Sequence, residues 1–171
     1  MTKWAYILIG DNNTGKTIFQ KEIIENITNS AYERLDCNQF FEISIIIGNG
    51  NAQNISFMNR SFQEKQSEYR SLADFFNSNF RNADIAILAS HLCKQEISEM
   101  IFELKKRFFN VGGVFFENSI TKSCNENSDI ALLDWNQKYL IKNPKTDDEK
   151  EFKIMLKKSA LEFTNQILFK N

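Results

Sequence analysis

Six residues without polar interruption, Trp4-Ala5-Tyr6-Ile7-Leu8-Ile9, stand near the start of the chain. Such a run predicts a strand buried on both faces. After a polar, glycine-containing stretch, Ile18, Phe19, Ile23, Ile24 and Ile27 fall on one side of a helix expected over 17–35. A second strand is expected over 41–47, closed by the turn signal Gly48-Asn49-Gly50. Residues 51–60 read either as a loop or as an edge strand through Ile55 and Phe57. Phe62, Tyr69, Leu72, Phe76 and Phe80 predict one helix over 61–82. Ile85-Ala86-Ile87-Leu88 marks a central strand over 83–89, and Ile97, Ile101, Leu104 and Phe108 form the inward face of a helix over 94–109. Val111-Gly112-Gly113 leads into a strand at Val114-Phe115-Phe116, and two short strands are expected at 130–133 and 138–141. Past Pro144, Thr146 and Glu149 fit a capping box, with Asp147 and Asp148 suited to the positive end of a helix dipole. The final helix carries Phe152, Met155, Leu156, Ala160, Phe163 and Ile167 on one face, expected to pack on the sheet rather than on a membrane surface. Apolar runs alternating with helical periods predict an α/β fold in three layers, a mainly parallel central sheet flanked by helices.

Composition narrows the picture. The 171 residues contain no linker or repeat and are expected to form one domain over 1–171. A net charge of −1 removes any global basic field, so contact with nucleic acid is expected only indirectly. No apolar stretch is long enough to span a bilayer. The first strand begins without a signal-peptide pattern, and Cys37, Cys93 and Cys124 have no metal-ligand spacing. Reduced thiols and a cytoplasmic location are therefore expected.

The chemistry concentrates in Gly10-Asp11-Asn12-Asn13-Thr14-Gly15-Lys16-Thr17, which fits G-x-x-x-x-G-K-[ST], the phosphate-binding loop motif. It lies between a strand and a helix, the context the motif requires. Glycines permit close backbone approach, and the N–H groups of the loop converge on anions at a helix N-terminus. Lys16 is the expected charge on the β- and γ-phosphates, and the Thr17 hydroxyl the expected Mg²⁺ ligand.

In sheets of this kind ligands bind beyond the carboxyl ends of the strands. That places Gly48, Asn49, Ser90, His91, Glu117, Asn118 and Asp134 among the candidates. Glu117 and Asp134 each follow an apolar run, as a magnesium-holding acid does, whereas the strand from Ile85 ends in Ala89-Ser90. Both acids also read as solvated strand ends, and Asp11 as turned to solvent or to magnesium-bound water. His91, the only histidine, stands where a catalytic role or a phosphate contact is open to it, but it reads first as a helix-start or surface residue. Arg60, Arg70 and Arg81 include candidates for a charge-stabilising arginine, while Lys105-Lys106-Arg107 has the dipole explanation of a helix C-terminus.

Through Gly10–Thr17 the chain resembles the P-loop NTPase superfamily. That resemblance implies bound ATP or GTP with Mg²⁺, held by Gly10, Asp11, Asn12, Asn13, Thr14, Gly15, Lys16, Thr17 and Ile18, with Lys16 catalytic. Three readings within it stay open. The loop is similar to the first motif of Ras-like small GTPases, although D-x-x-G and N-K-x-D do not occur. The order of elements resembles ParA/MinD-like ATPases, although Asp11 stands at the place of their signature lysine and Asn12 and Asn13 at the place of glycines. A small-molecule or nucleotide kinase is the third, with Arg60 to Arg81 as the arginine-bearing segment. The ParA/MinD resemblance implies slow hydrolysis and a protein partner or homodimer. A scaffold that binds nucleotide without turnover is a further alternative.

Overall fold

The computed structural model describes residues 2–32, 34–36, 38–43 and 52–169. Six strands form one sheet in the order β2-β3-β4-β1-β5-β6, with β1 (Lys3–Ile9), β2 (Asn38–Glu42), β3 (Asn54–Met58), β4 (Ile85–Ser90), β5 (Phe109–Phe116) and β6 (Gln137–Ile141). All neighbours are parallel except the β2–β3 pair. The three-layer α/β architecture expected from the sequence is present.

Handedness explains the layers. From β1 the chain passes β4 and β3 to the edge strand β2, with α1 (Lys16–Thr28) on one face along that passage, and β2 then pairs antiparallel with β3. Every later step runs the other way, so right-handed crossovers put α2 (Phe62–Lys65), α3 (Leu72–Asn79), α4 (Lys94–Lys106), α5 (Glu117–Lys122) and α6 (Cys124–Ala131) on the opposite face. The last helix, α7 (Glu149–Phe169), returns to lie beside α1. Alternation along β1 feeds both cores. Tyr6 and Leu8 join Phe19, Ile23, Leu156 and Phe163 under α1 and α7. Ala5, Ile7 and Ile9 join Phe75, Phe76, Ile97 and Leu104 on the other side.

Several boundaries differ from expectation. α1 ends at Thr28 rather than 35, because Asn29 turns left-handed (φ 55°) and its N–H closes on the Glu25 carbonyl. The 61–82 segment is two helices, not one. Its apolar residues sit near helical spacing across the break, but Ser71 starts α3 by accepting the Asp74 N–H. β3 is neither a loop nor an edge, since β2 pairs outside it. The second strand covers Asn38–Glu42 and so ends before Ile43, and the rest of the expected strand, 44–47, lies outside the described residues with its Gly48-Asn49-Gly50 turn. Residues 130–133 are not a strand: Ile130 is a buried residue of α6, held by helical spacing. Phe108 does not face inward but is 89% exposed in a left-handed turn (φ 64°) between α4 and β5. The start of α7 is capped by Asp148, whose carboxylate accepts the N–H groups of Lys150 and Glu151, rather than by a Thr146–Glu149 box. Its inward face is as expected: Leu156, Ala160, Phe163 and Ile167 are buried. No helix among the described residues is long and apolar enough to cross a membrane.

Candidate functional site

The register fixes where the site forms. Ile9 is level with Ser90 of β4 and Phe115 of β5, and Met58 of β3 is level with Leu88. The chain therefore leaves β3, β4, β1 and β5 along one edge of the sheet. The loop after β1 departs to one face, and those after β4 and β5 depart to the other. A crevice opens at such a divergence.

The Gly10–Thr17 loop fills that crevice and leads directly into α1. The Gly10 N–H donates to the Ser90 carbonyl (3.3 Å). Gly10 is level with the Thr14 side chain, whose Oγ1 lies 2.8 Å from where a Cβ would stand. Asn13 and Gly15 take left-handed backbone angles (φ 64° and 96°), and Gly15 caps α1. A side chain on Gly15 would strike Leu156 Cδ1 at 2.6 Å and Phe152 Cζ at 3.0 Å, so α7 is seated on the loop.

Hydrogen bonds from distant elements hold the loop's shape. Thr14 Oγ1 donates to the Asp11 carbonyl (2.9 Å). The Thr14 carbonyl accepts from Asn143 Nδ2 (2.9 Å), in the loop after β6, and from Asn118 Nδ2 (3.4 Å), in the first turn of α5. The Asp11 carboxylate points away from the cleft, accepting from Ser123 Oγ (3.1 Å) with Lys122 Nζ 3.8 Å away. Lys16 folds back over the loop, donating to the Gly10 carbonyl and to the Asp11 carbonyl (2.8 Å). Burial pulls its ammonium down from the ordinary 10.5 to about 8, against the upward push of Asp11 and Glu64.

Beside Lys16 lies a cleft of about 410 Å³. Its floor is Asn12, Asn13, Thr14, Gly15, Lys16, Thr17 and Ile18. One wall is Asn59, Ser61, Glu64, Ala89 and His91, and the other Glu149 and Phe152. A second hollow of about 290 Å³ lies on the Phe152 side, against Asn13, Asn118, Thr146 and Asp147. The floor presents a helix N-terminus and a partly buried cation, which together suit an anion.

Other sequence candidates separate clearly. His91 faces the cleft, with Nε2 3.5 Å from Glu64 Oε1. Arg60 pairs with Glu64 Oε2 at the rim (2.9 Å), whereas Arg70 and Arg81 are exposed and do not line the cleft. The Ser90 hydroxyl is buried and donates to the His91 carbonyl. Glu117 opens α5 and does not line the cleft. Asp134 does not follow a strand at all; it precedes β6, at the opposite edge of the sheet, and pairs with Lys105 (2.6 Å). Arg107 bonds to Glu103 and to Asn77 Oδ1 and lies over the Phe76 ring. Gly48 and Asn49 lie outside the described residues.

Glu64, Ser61, Asn59, Asn143, Glu149 and Phe152 are site residues that the sequence pattern does not single out. No group of three His, Cys, Asp or Glu among the described residues could hold a metal by itself. The donors present nonetheless fit a hard cation shared with phosphate: the Thr17 hydroxyl, the Glu64 carboxylate, and the Ser61 hydroxyl, which is 2% exposed and lacks a hydrogen-bond partner.

No protein-family model and no curated protein matches the sequence. Solved structures similar in chain path include two solution NMR structures of de novo designed proteins described as having a P-loop NTPase fold. One is 16% identical (TM-score 0.41), covering 96% of this chain and 92% of its own. The other is 15% identical (TM-score 0.39), covering 95% and 93%. A third designed protein, described as a P-loop 2x3 fold, is 14% identical (TM-score 0.39) and covers 98% and 96%. At these scores the topology and register above, not the likeness, define the fold.

Proposed function

We propose that this chain binds a nucleoside triphosphate, ATP before GTP, with Mg²⁺. One observation carries the reading: Lys16 and the N-terminus of α1 face a cleft at the carboxyl edge of the sheet, on a loop of the phosphate-binding pattern. In this reading the amides of Asn13 to Lys16 and the Lys16 ammonium hold the phosphates, and Thr17 holds the metal. The nucleoside extends toward Phe152 and Asn118, where an aromatic face and an amide are available.

Turnover in this reading is slow, and nucleotide state controls association with a protein partner or a second copy, as in ParA/MinD-like switches. The seating of α7 supports that part. Phe152 and Leu156 rest against Gly15, and Glu149 faces the cleft beside the loop. A third phosphate would add negative charge near Glu149, so gain and loss of that group would be felt by the first turn of α7. Asp11, turned away from the cleft, supplies no cation across an interface.

Thermal melts with ATP, ADP, GTP and GDP, with and without Mg²⁺, test the reading. A micromolar ligand at millimolar concentration adds about 4 kcal/mol of apparent stability. For a chain of this size that is a rise of roughly 8–16 °C. Lys16→Ala is expected to abolish the rise while keeping the cooperative transition. A variant that shifts as far as the parent, or a parent that responds to no nucleotide, overturns it.

A further inference from the structure

We propose that Glu64, from the loop-helix segment after β3, is the carboxylate ligand of the divalent cation that accompanies the nucleotide, opposite the Thr17 hydroxyl. The inference rests on the nucleotide-binding reading above and names the acid for that site. The strand beside β1 cannot supply it, because β4 ends in Ser90, whose hydroxyl is buried and committed to the His91 carbonyl. Only two carboxylates line the cleft among the described residues, Glu64 and Glu149.

Position separates the two. Glu149 stands with Phe152 at the first turn of α7, borders the second hollow, and is paired with Lys153 (2.6 Å). Glu64 stands on the other wall with Asn59, Ser61 and His91, near enough for its charge to act on Lys16.

The chemistry of that wall is independent support. Ser61 is among the residues lining the cleft, is almost fully buried, and its Oγ has no hydrogen-bond partner. A buried hydroxyl is left unsatisfied only at a cost, which a metal-bound water or a phosphate oxygen removes. Magnesium takes oxygen donors, retains several waters, and is commonly held by one or two carboxylates plus substrate phosphate. A lone carboxylate flanked by hydroxyls and an amide matches that demand. His91 and Arg60 hold the two carboxylate oxygens of Glu64 (3.5 and 2.9 Å). Arg60 is more than half exposed, so its contact yields to a cation at little expense.

Calorimetry with ATP, in EDTA and in Mn²⁺, together with Mn²⁺ titrations followed by electron paramagnetic resonance, tests the assignment on the full chain. In Glu64→Gln the Mn²⁺ affinity of the ATP-bound protein is expected to fall tenfold or more, while ATP affinity in EDTA is kept or rises. Glu64→Asp, which retains the charge, keeps part of the metal affinity and serves as the folded reference. Glu117→Gln, outside the cleft, leaves Mn²⁺ affinity within about twofold, and Glu149→Gln is the competing assignment. Wild-type Mn²⁺ affinity in Glu64→Gln, or the loss appearing in Glu149→Gln instead, overturns the assignment and leaves nucleotide binding standing. A parent chain that binds no ATP in either condition overturns both.

Discussion

Gly15→Ala isolates the strain that the loop imposes on its own backbone. At φ 96° an L side chain sits in a left-handed conformation costing about 1–3 kcal/mol. The added methyl also meets Leu156 Cδ1 at 2.6 Å and Phe152 Cζ at 3.0 Å. Phe152 is partly exposed and can swing aside, but Leu156 is fully buried in the core under α7, so overpacking adds about 1–3 kcal/mol. The expected loss is roughly 2–6 kcal/mol, a fall in Tm of about 4–24 °C for a chain of this length. Urea unfolding of Gly15→Ala, Leu156→Ala and the double variant divides the total. Shortening Leu156 removes the clash but not the backbone strain, so the cycle is expected to show favourable coupling of about 1–2 kcal/mol. Gly10→Ala is the control. Its methyl meets only the Thr14 side chain, its backbone is not left-handed, and its loss is expected to be smaller. Stability of Gly15→Ala within about 0.5 kcal/mol of the parent would refute the reasoning, as would a cycle without coupling.

Three more outcomes follow from individual groups. Lys16 in the folded protein lies at about 8, below the 10.5 of the unfolded chain, so the unfolded state holds more protons between those values and stability gains with rising pH there. Lys16→Ala is expected to lack that gain, a difference of roughly 1–2 kcal/mol after discounting for partial exposure, measured by denaturant unfolding from pH 7 to 10. Asn143→Ala removes the 2.9 Å bond to the buried Thr14 carbonyl, at a cost of about 1–3 kcal/mol, and is expected to speed amide exchange in the loop without disturbing the sheet. Phe108→Asn replaces an exposed aromatic in a left-handed turn with a residue that tolerates it, and a gain of about 1 kcal/mol is expected in thermal melts.

The elements visible in the sequence are those whose side chains report their own surroundings. β1, β4 and β5 are interior parallel strands, so their apolar runs are continuous; α4 and α7 bury one stripe each, so their period is plain. The division of 61–82 was hidden because Phe62, Leu72, Phe75 and Phe76 reach one core from two separate helices. Ile130 is buried like a strand residue although α6 carries it. The phosphate-type loop was readable because its constraint is local. Glu64 and Asn143 were not: each belongs to a polar segment, and only strand pairing two positions away from β1 brings Glu64 to the cleft and Asn143 to the Thr14 carbonyl.

The loop's anchoring has a consequence for the order of events during synthesis. The Thr14 carbonyl is held by Asn118 and Asn143, 104 and 129 residues further along the chain. A ribosome-bound fragment that has made β1 and α1 already owns every residue of the motif, yet lacks the groups that shape it. If the chain binds nucleotide as proposed, capture is deferred until the last third of the polypeptide has emerged and docked, and tight binding then reports a completed molecule rather than a completed motif.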